Sequence, residues 1–185
     1  MSHRIGIIAA LSGELKPLVS DWSPQPDGAF LTQRGDVALI AVAKGIGIVR
    51  AEQAVSIAET YGSLNALVSI GWAGGASCGV QPGMAYEVGE VIDPASGERY
   101  ATSAVASPIK LVTLDHVAGR EEKRKVAESY GASLVDMEAV RMGRKKMFAS
   151  STKAERELGF RIVPVYAALR TAIDWFRAHG YAPAT

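Results

Sequence analysis

Apolar positions along the chain fall in short runs, each closed by glycine-rich or charged residues. Arg4–Leu11 is β-branched and apolar and stops at Ser12-Gly13-Glu14, which predicts a buried first strand. Ser12 is then placed to cap a helix over Glu14–Val19. Gly28–Thr32 and Asp36–Ala43 read as two further strands, turned at Arg34-Gly35. Gly45-Ile-Gly47-Ile-Val-Arg50 opens a helix running to near Tyr61. Leu67–Ile70 reads as a buried strand ending in Gly71, with Gly74 and Gly75 just beyond. Ala85–Ile92 is another strand candidate, followed by the turn cluster Asp93–Arg99 and the apolar run Ile109–Leu114. Arg120–Tyr130 is charged with helical spacing, and Ala132–Val140 is a strand entering a helix. Strands alternating with helices predict an α/β domain with a mixed, mostly parallel sheet. In such sheets the carboxyl ends of the strands converge on the ligand site. Three turns lie at such ends: Ser12–Glu14, Gly71–Gly75 and Asp136–Glu138.

Composition narrows the function classes. A chain of 185 residues, 48% hydrophobic and 21% charged, matches one ordinary soluble domain. A formal net charge of +1 gives no electrostatic argument for nucleic acid or an anionic membrane. The single cysteine, Cys78, excludes an intramolecular disulfide and fits a reducing cytoplasm. No metal-ligand spacing is visible, and no metal is expected. The amino-terminal MSHRIGIIAAL is too short in its apolar run for a spanning helix and lacks a signal-peptide cleavage region. A soluble, cytoplasmic protein is therefore expected, without stable membrane insertion.

The three turns carry the candidate chemistry. Glu14 stands in a helix's first turn, where the dipole alone favours an acid. Glycine and alanine at Gly71, Ala73 and Gly74 let a ligand lie against backbone amides, or simply form a tight turn. Gly45 and Gly47 precede a helix and make an amide-lined turn able to hold an anion or hydroxyls. Arg50 stands where a dinucleotide fingerprint requires a small residue, so NAD binding is not supported. Asp136 suits a helix cap and Met137 suits core filling. Glu138, an acid in an apolar strand–helix context, needs a partner. His116 reads as a local structural residue. The basic stretch Arg141–Lys146 supports, at most, a surface contact with another protein.

Taken together and in order, IGIIAALSGEL (Ile5–Leu15), KGIGIVRAEQA (Lys44–Ala54), SIGWAGGAS (Ser69–Ser77) and LVDMEAV (Leu134–Val140) resemble the purine nucleoside phosphorylase/nucleosidase family, which includes the methylthioadenosine/S-adenosylhomocysteine nucleosidases. The resemblance covers residues 4–140. The linking segments are most similar to a short bacterial subgroup of hopanoid-associated phosphorylases, associated with removing adenine from adenosylhopane. It implies a three-layer nucleoside phosphorylase-like α/β fold, a mixed sheet flanked by helices, and cleavage of the N-ribosyl bond of a purine nucleoside. By position, Glu14 matches the acid that orients the nucleophilic water. Glu138 matches the glutamate that accepts hydrogen bonds from the ribose hydroxyls, and Met137 the methionine packed on the sugar. Gly71, Trp72, Ala73, Gly74, Val117 and Asp136 complete the expected substrate-binding set. No organic cofactor is implied. Water and inorganic phosphate remain alternative nucleophiles, the second as a co-substrate. A homodimer is compatible with the family's habit.

The sequence departs from the family at three points. Trp72 replaces a small or hydroxyl residue, so its indole is expected to fill part of the pocket or form a lid. Val117 stands where an adenine-stacking aromatic is expected. No Ser-Asp pair follows Glu138, although the family's aspartate there protonates the leaving base; the nearest substitute is Asp174 in Arg170-Thr-Ala-Ile-Asp174, after the run Arg161–Leu169. From Met142 onward the chain is instead similar to the tail of hopanoid-associated sugar epimerases, with a final helix over Ala167–His179. That tail has neither a glycine-rich fingerprint nor Tyr-x-x-x-Lys, so it implies no epimerase activity. The expected organisation is a truncated nucleosidase-like domain over 1–141 with an added helical segment over 142–185, as in a fusion of two neighbouring genes. Two functions follow: an N-ribosyl-cleaving enzyme, or a catalytically inactive, ligand-binding remnant of that fold.

Overall fold

The computed structural model describes residues 3–140. The expected strand Arg4–Leu11 forms as β1, His3–Ala9. It lies between two parallel neighbours, β4 (Val37–Ala43) and β5 (Ala66–Ser69), with Ile8 level with both Val42 and Ser69. β3 (Ala29–Arg34) runs antiparallel to β4, and the short β2 (Ser23–Pro24) closes that edge. The order across this sheet is β2-β3-β4-β1-β5.

The helix expected after Gly47 is α2, Ile48–Thr60. Its buried positions Ala51, Ala54, Val55 and Ala58 recur every three or four residues, so one stripe packs on the sheet. Ala54, Val55 and Ala58 meet Ile8, Ile40, Val42 and Leu67 in a single core cluster. The opposite face of the sheet is covered by Leu15, Val19 and Trp22, packed on Ala9 and Ala41. Full burial of an Ile or Val side chain contributes about 1.5–3 kcal/mol, so these two layers hold the first sheet. Small side chains on α2 let it approach closely; Gly6 beneath it has no room for a Cβ, which would lie 2.8 Å from a Leu64 methyl.

A second sheet is built from β6 (Gly74–Gly75), β7 (Glu90–Ile92), β8 (Arg99–Ala101), β9 (Lys110–Thr113) and β10 (Leu134–Asp136). Its order is β6-β10-β9-β7-β8, with β7, β9 and β10 parallel and the two edge strands antiparallel. The amphipathic α3 (Arg120–Tyr130) lays Val126 against Ile92, Val112 and Val135. The other face carries Val91, Leu111, Leu134, Ala139 and Val140.

The α/β class holds, with the sheet mixed and flanked by helices, but three sequence expectations change. The single sheet is two five-stranded sheets, because the glycines after β5 pair with β10 rather than continuing the first sheet. Ser12 does not cap a helix over Glu14–Val19: α1 is Ser12–Leu15, and the capping position is Leu11. The strand expected over Ala85–Ile92 is reduced to Glu90–Ile92. Before it, Gly89 lies so close to Ser107 that a Cβ would stand 2.2 Å from the carbonyl oxygen, and the Ser107 hydroxyl donates to the Glu87 carbonyl. These contacts shape an irregular segment instead of a ladder. Asp174, the run Arg161–Leu169, the helix Ala167–His179, the basic stretch Arg141–Lys146 and the 142–185 segment lie outside the described residues.

Candidate functional site

Parallel register decides which loops meet. Ala9 is level with Ala43, and Ile8 with Ser69, so the loops after β1, β4 and β5 leave the first sheet at one edge. Two backbone bonds extend that edge, Gly45 N–H to Ala10 O at 2.8 Å and Ile70 N–H to Ile8 O at 2.9 Å. In the second sheet Thr113 is level with Asp136, so the loops after β9 and β10 also leave together.

Glu14 sits half-buried in α1 with both carboxylate oxygens engaged. Oε2 accepts the Leu11 N–H at 2.8 Å, and Oε1 accepts the Trp72 N–H at 2.8 Å. The first bond satisfies an amide at the helix start, and the second ties the 71–75 loop to α1. The approach is close: a Cβ at Gly71 would stand 3.2 Å from Glu14 Oε1, and the carboxylate would have to give a little to admit it. A carboxylate has about four acceptor directions, so two remain for a ligand or water.

Glu138 is half-buried at the other end of the same region. Its Oε1 accepts the Gly47 N–H at 3.2 Å, and Oε2 accepts the Met137 N–H at 3.2 Å. Gly47 is the capping residue of α2, at φ +98°, a conformation that favours glycine. The amide-lined turn read from the sequence as a possible anion site is thus filled by the chain's own Glu138, where the α2 dipole favours negative charge. This bond joins the edges of the two sheets.

Asp136 faces inward. Oδ1 accepts the Thr113 hydroxyl at 2.6 Å and Oδ2 the Ala139 N–H at 2.9 Å, the bonds of a helix cap. Burial above all, with the nearby Glu138 charge adding to it, pushes its carboxyl up to about 7; the bonds from Thr113 and Ala139 pull the other way.

The remaining expected residues are more open. Trp72 is 73% exposed, its ring tip 4.0 Å from where a Gly13 Cβ would stand, so the indole overhangs the edge rather than filling an enclosed pocket. Val117 is 83% exposed. Gly71 and Ala73 are exposed, and Gly74 and Met137 are half-buried. The Lys123 ammonium lies over Gly74, 2.8 Å from where a Cβ would be. His116 contacts Asp115 through Nδ1 at 2.6 Å and Glu122 through Nε2 at 2.8 Å, and these bonds raise its pKa above the ordinary value. That pins the Val117 loop to the first turn of α3. The structure therefore gathers Glu14 with Gly71 and Trp72, and Met137 and Glu138 with Gly47. Sequence reasoning missed Leu11 and Thr113, the second hidden inside an apolar run. Among the described residues, no group of three His, Cys, Asp or Glu is arranged for a metal ion, and no helix is long and apolar enough to cross a membrane.

The fold is the mixed α/β fold of nucleosidases and nucleoside phosphorylases. No family profile matches the sequence, and no curated protein does. Solved structures do. The chain is similar to an S-adenosylhomocysteine nucleosidase from Streptococcus pyogenes in complex with 5-methylthiotubericidin, at 19% identity and TM-score 0.66, covering 80% of each chain. It is similar to an aspartate-to-asparagine variant of the Helicobacter pylori methylthioadenosine/S-adenosylhomocysteine nucleosidase with 5′-methylthioadenosine in its active site. That match has 15% identity and TM-score 0.68, over 95% of this chain and 100% of the other. A futalosine hydrolase of Helicobacter pylori matches at 15% identity and TM-score 0.68, over 94% and 95%.

Proposed function

We propose that this chain binds a purine nucleoside at the edge carrying Glu14 and Glu138 and cleaves its N-ribosyl bond. The observation that carries the reading is the pair of half-buried carboxylates, each held by two backbone N–H groups, one in the short helix after β1 and one in the turn after β10, beyond the carboxyl ends of parallel strands. Three of the similar structures are of proteins whose names state nucleosidase or hydrolase activity, two of them with a nucleoside or analogue bound.

Breaking the bond between C1′ and the base nitrogen leaves the electron pair on the base and oxocarbenium-like positive charge on the sugar. Carboxylates already fixed by amide donors stabilise that charge without reorganising. Glu138 accepts hydrogen bonds from the 2′- and 3′-hydroxyls through its free acceptor directions, with Met137 against the sugar. Glu14 orients a water and takes its proton as the oxygen bonds to C1′. The base receives a proton from Asp174, giving free base and free sugar. With inorganic phosphate as nucleophile the sugar product is the 1-phosphate, and the activity is a transferase's. Gly71, Trp72, Ala73, Gly74 and Val117 border the ligand, and an adenosylhopane-like nucleoside is accommodated by the open side at Trp72 and Val117. A cytoplasmic homodimer is the expected setting, and the 142–185 segment an addition by gene fusion.

The test is release of free base from 5′-methylthioadenosine, adenosine and an adenosylhopanoid, with and without phosphate. Release independent of phosphate marks hydrolysis, and phosphate-dependent release marks phosphorolysis. The lack of a Ser-Asp pair after Glu138 favours the second reading, an inactive ligand-binding remnant. Nucleoside binding without release of base from any of the three establishes that reading and overturns the enzyme.

A further inference from the structure

Thr113 is one of two buried polar or charged residues among the described residues, at 3% exposure, and it lies at the carboxyl end of β9 among apolar neighbours. Its hydroxyl is used in both directions: it donates to Asp136 Oδ1 at 2.6 Å and accepts the Val140 N–H at 3.1 Å. Asp136 in turn accepts the Ala139 N–H at 2.9 Å, and its carbonyl accepts the Leu114 N–H at 2.8 Å. The residues on both sides of Met137-Glu138 are thereby tied to β9. Glu138 itself reaches Gly47, 91 positions away in sequence, so the direction of its carboxylate depends on where the 136–140 turn is held.

We propose that Thr113 is a positioning residue for the sugar-binding carboxylate: its hydroxyl fixes the turn that aims Glu138 at the ribose hydroxyls. This rests on the assignment of Glu138 to the ribose made above. Valine at this position keeps the packing volume but leaves the Val140 N–H and Asp136 Oδ1 without their buried partner, and loss of such a bond typically changes an equilibrium by about tenfold.

The experiment compares kcat/KM for adenosine and for 2′-deoxyadenosine in the wild type, Thr113→Val and Thr113→Ser. The expected result is a wild-type preference for adenosine, a loss on the order of tenfold for adenosine in Thr113→Val, carried mainly by KM and larger than the loss for 2′-deoxyadenosine, which offers Glu138 only its 3′-hydroxyl, and recovery in Thr113→Ser. Equal loss on both substrates, or no loss, overturns the positioning role while leaving Glu138 assigned to the ribose. A wild type without preference between the two sugars overturns the Glu138 assignment and this inference with it. Should Thr113→Val fail to fold, Thr113→Cys, a weak donor of similar size, is read in the same way.

Discussion

Asp136 carries a charge balance that can be read in solution. Its carboxyl is pushed to about 7 in the fold, against an ordinary 3.8, so the native chain holds a proton that the unfolded chain releases. The stability this group contributes is fully present below the unfolded value and is lost as pH rises through 7. The melting temperature should therefore fall between pH 4 and pH 7 by an increment that Asp136→Asn removes, followed by thermal denaturation across that range. A melting profile identical in the two proteins contradicts the account of a strongly shielded acid. His116 titrates with the same sign. Contact of both ring nitrogens with carboxylates requires both to carry hydrogen, which favours the imidazolium. Its NMR titration midpoint should lie above 6.5 and move down in Glu122→Gln.

At the scale of elements, the periodicities that end in a layer of side chains were legible. The spacing of Ala51, Ala54, Val55 and Ala58 gives α2, and Arg120–Tyr130 forms as read. Where a long-range contact sets the backbone, local pattern gave too little. Ala85–Ile92 reads as a strand, but Gly89 is pressed against Ser107, and pairing begins only at Glu90. Gly89→Ala should destabilise the fold by about 2 kcal/mol or more in denaturant unfolding, because the obstructing atom is a backbone oxygen. Gly74→Ala should cost less, since the atoms it meets are side-chain ones, the flexible end of Lys123 and a Val135 methyl at 3.1 Å, rather than backbone. The candidate site shows the same division. Glu14 and Glu138 were visible as acids beside strand ends, whereas the pairing of Glu138 with Gly47 joins turns 91 residues apart and has no local signature. Thr113 was invisible for a simpler reason: one hydroxyl in an apolar run reads as a β-branched strand residue.

Over the whole molecule, two sheets meet where their parallel strands end, and a carboxylate from the second sheet closes the helix turn of the first. That junction is what the 71–75 loop borders, held to α1 by Glu14. Glu14 thus joins α1 to the loop after β5, and Glu138 joins the turn after β10 to the start of α2. The most direct measurement is adenine release from adenosine by the wild type and by Glu138→Gln, with the melting temperature of each recorded alongside. The account predicts release by the wild type and a loss of at least about a hundredfold in Glu138→Gln, with the variant still folded at the assay temperature. Equal release by the two folded proteins would contradict it.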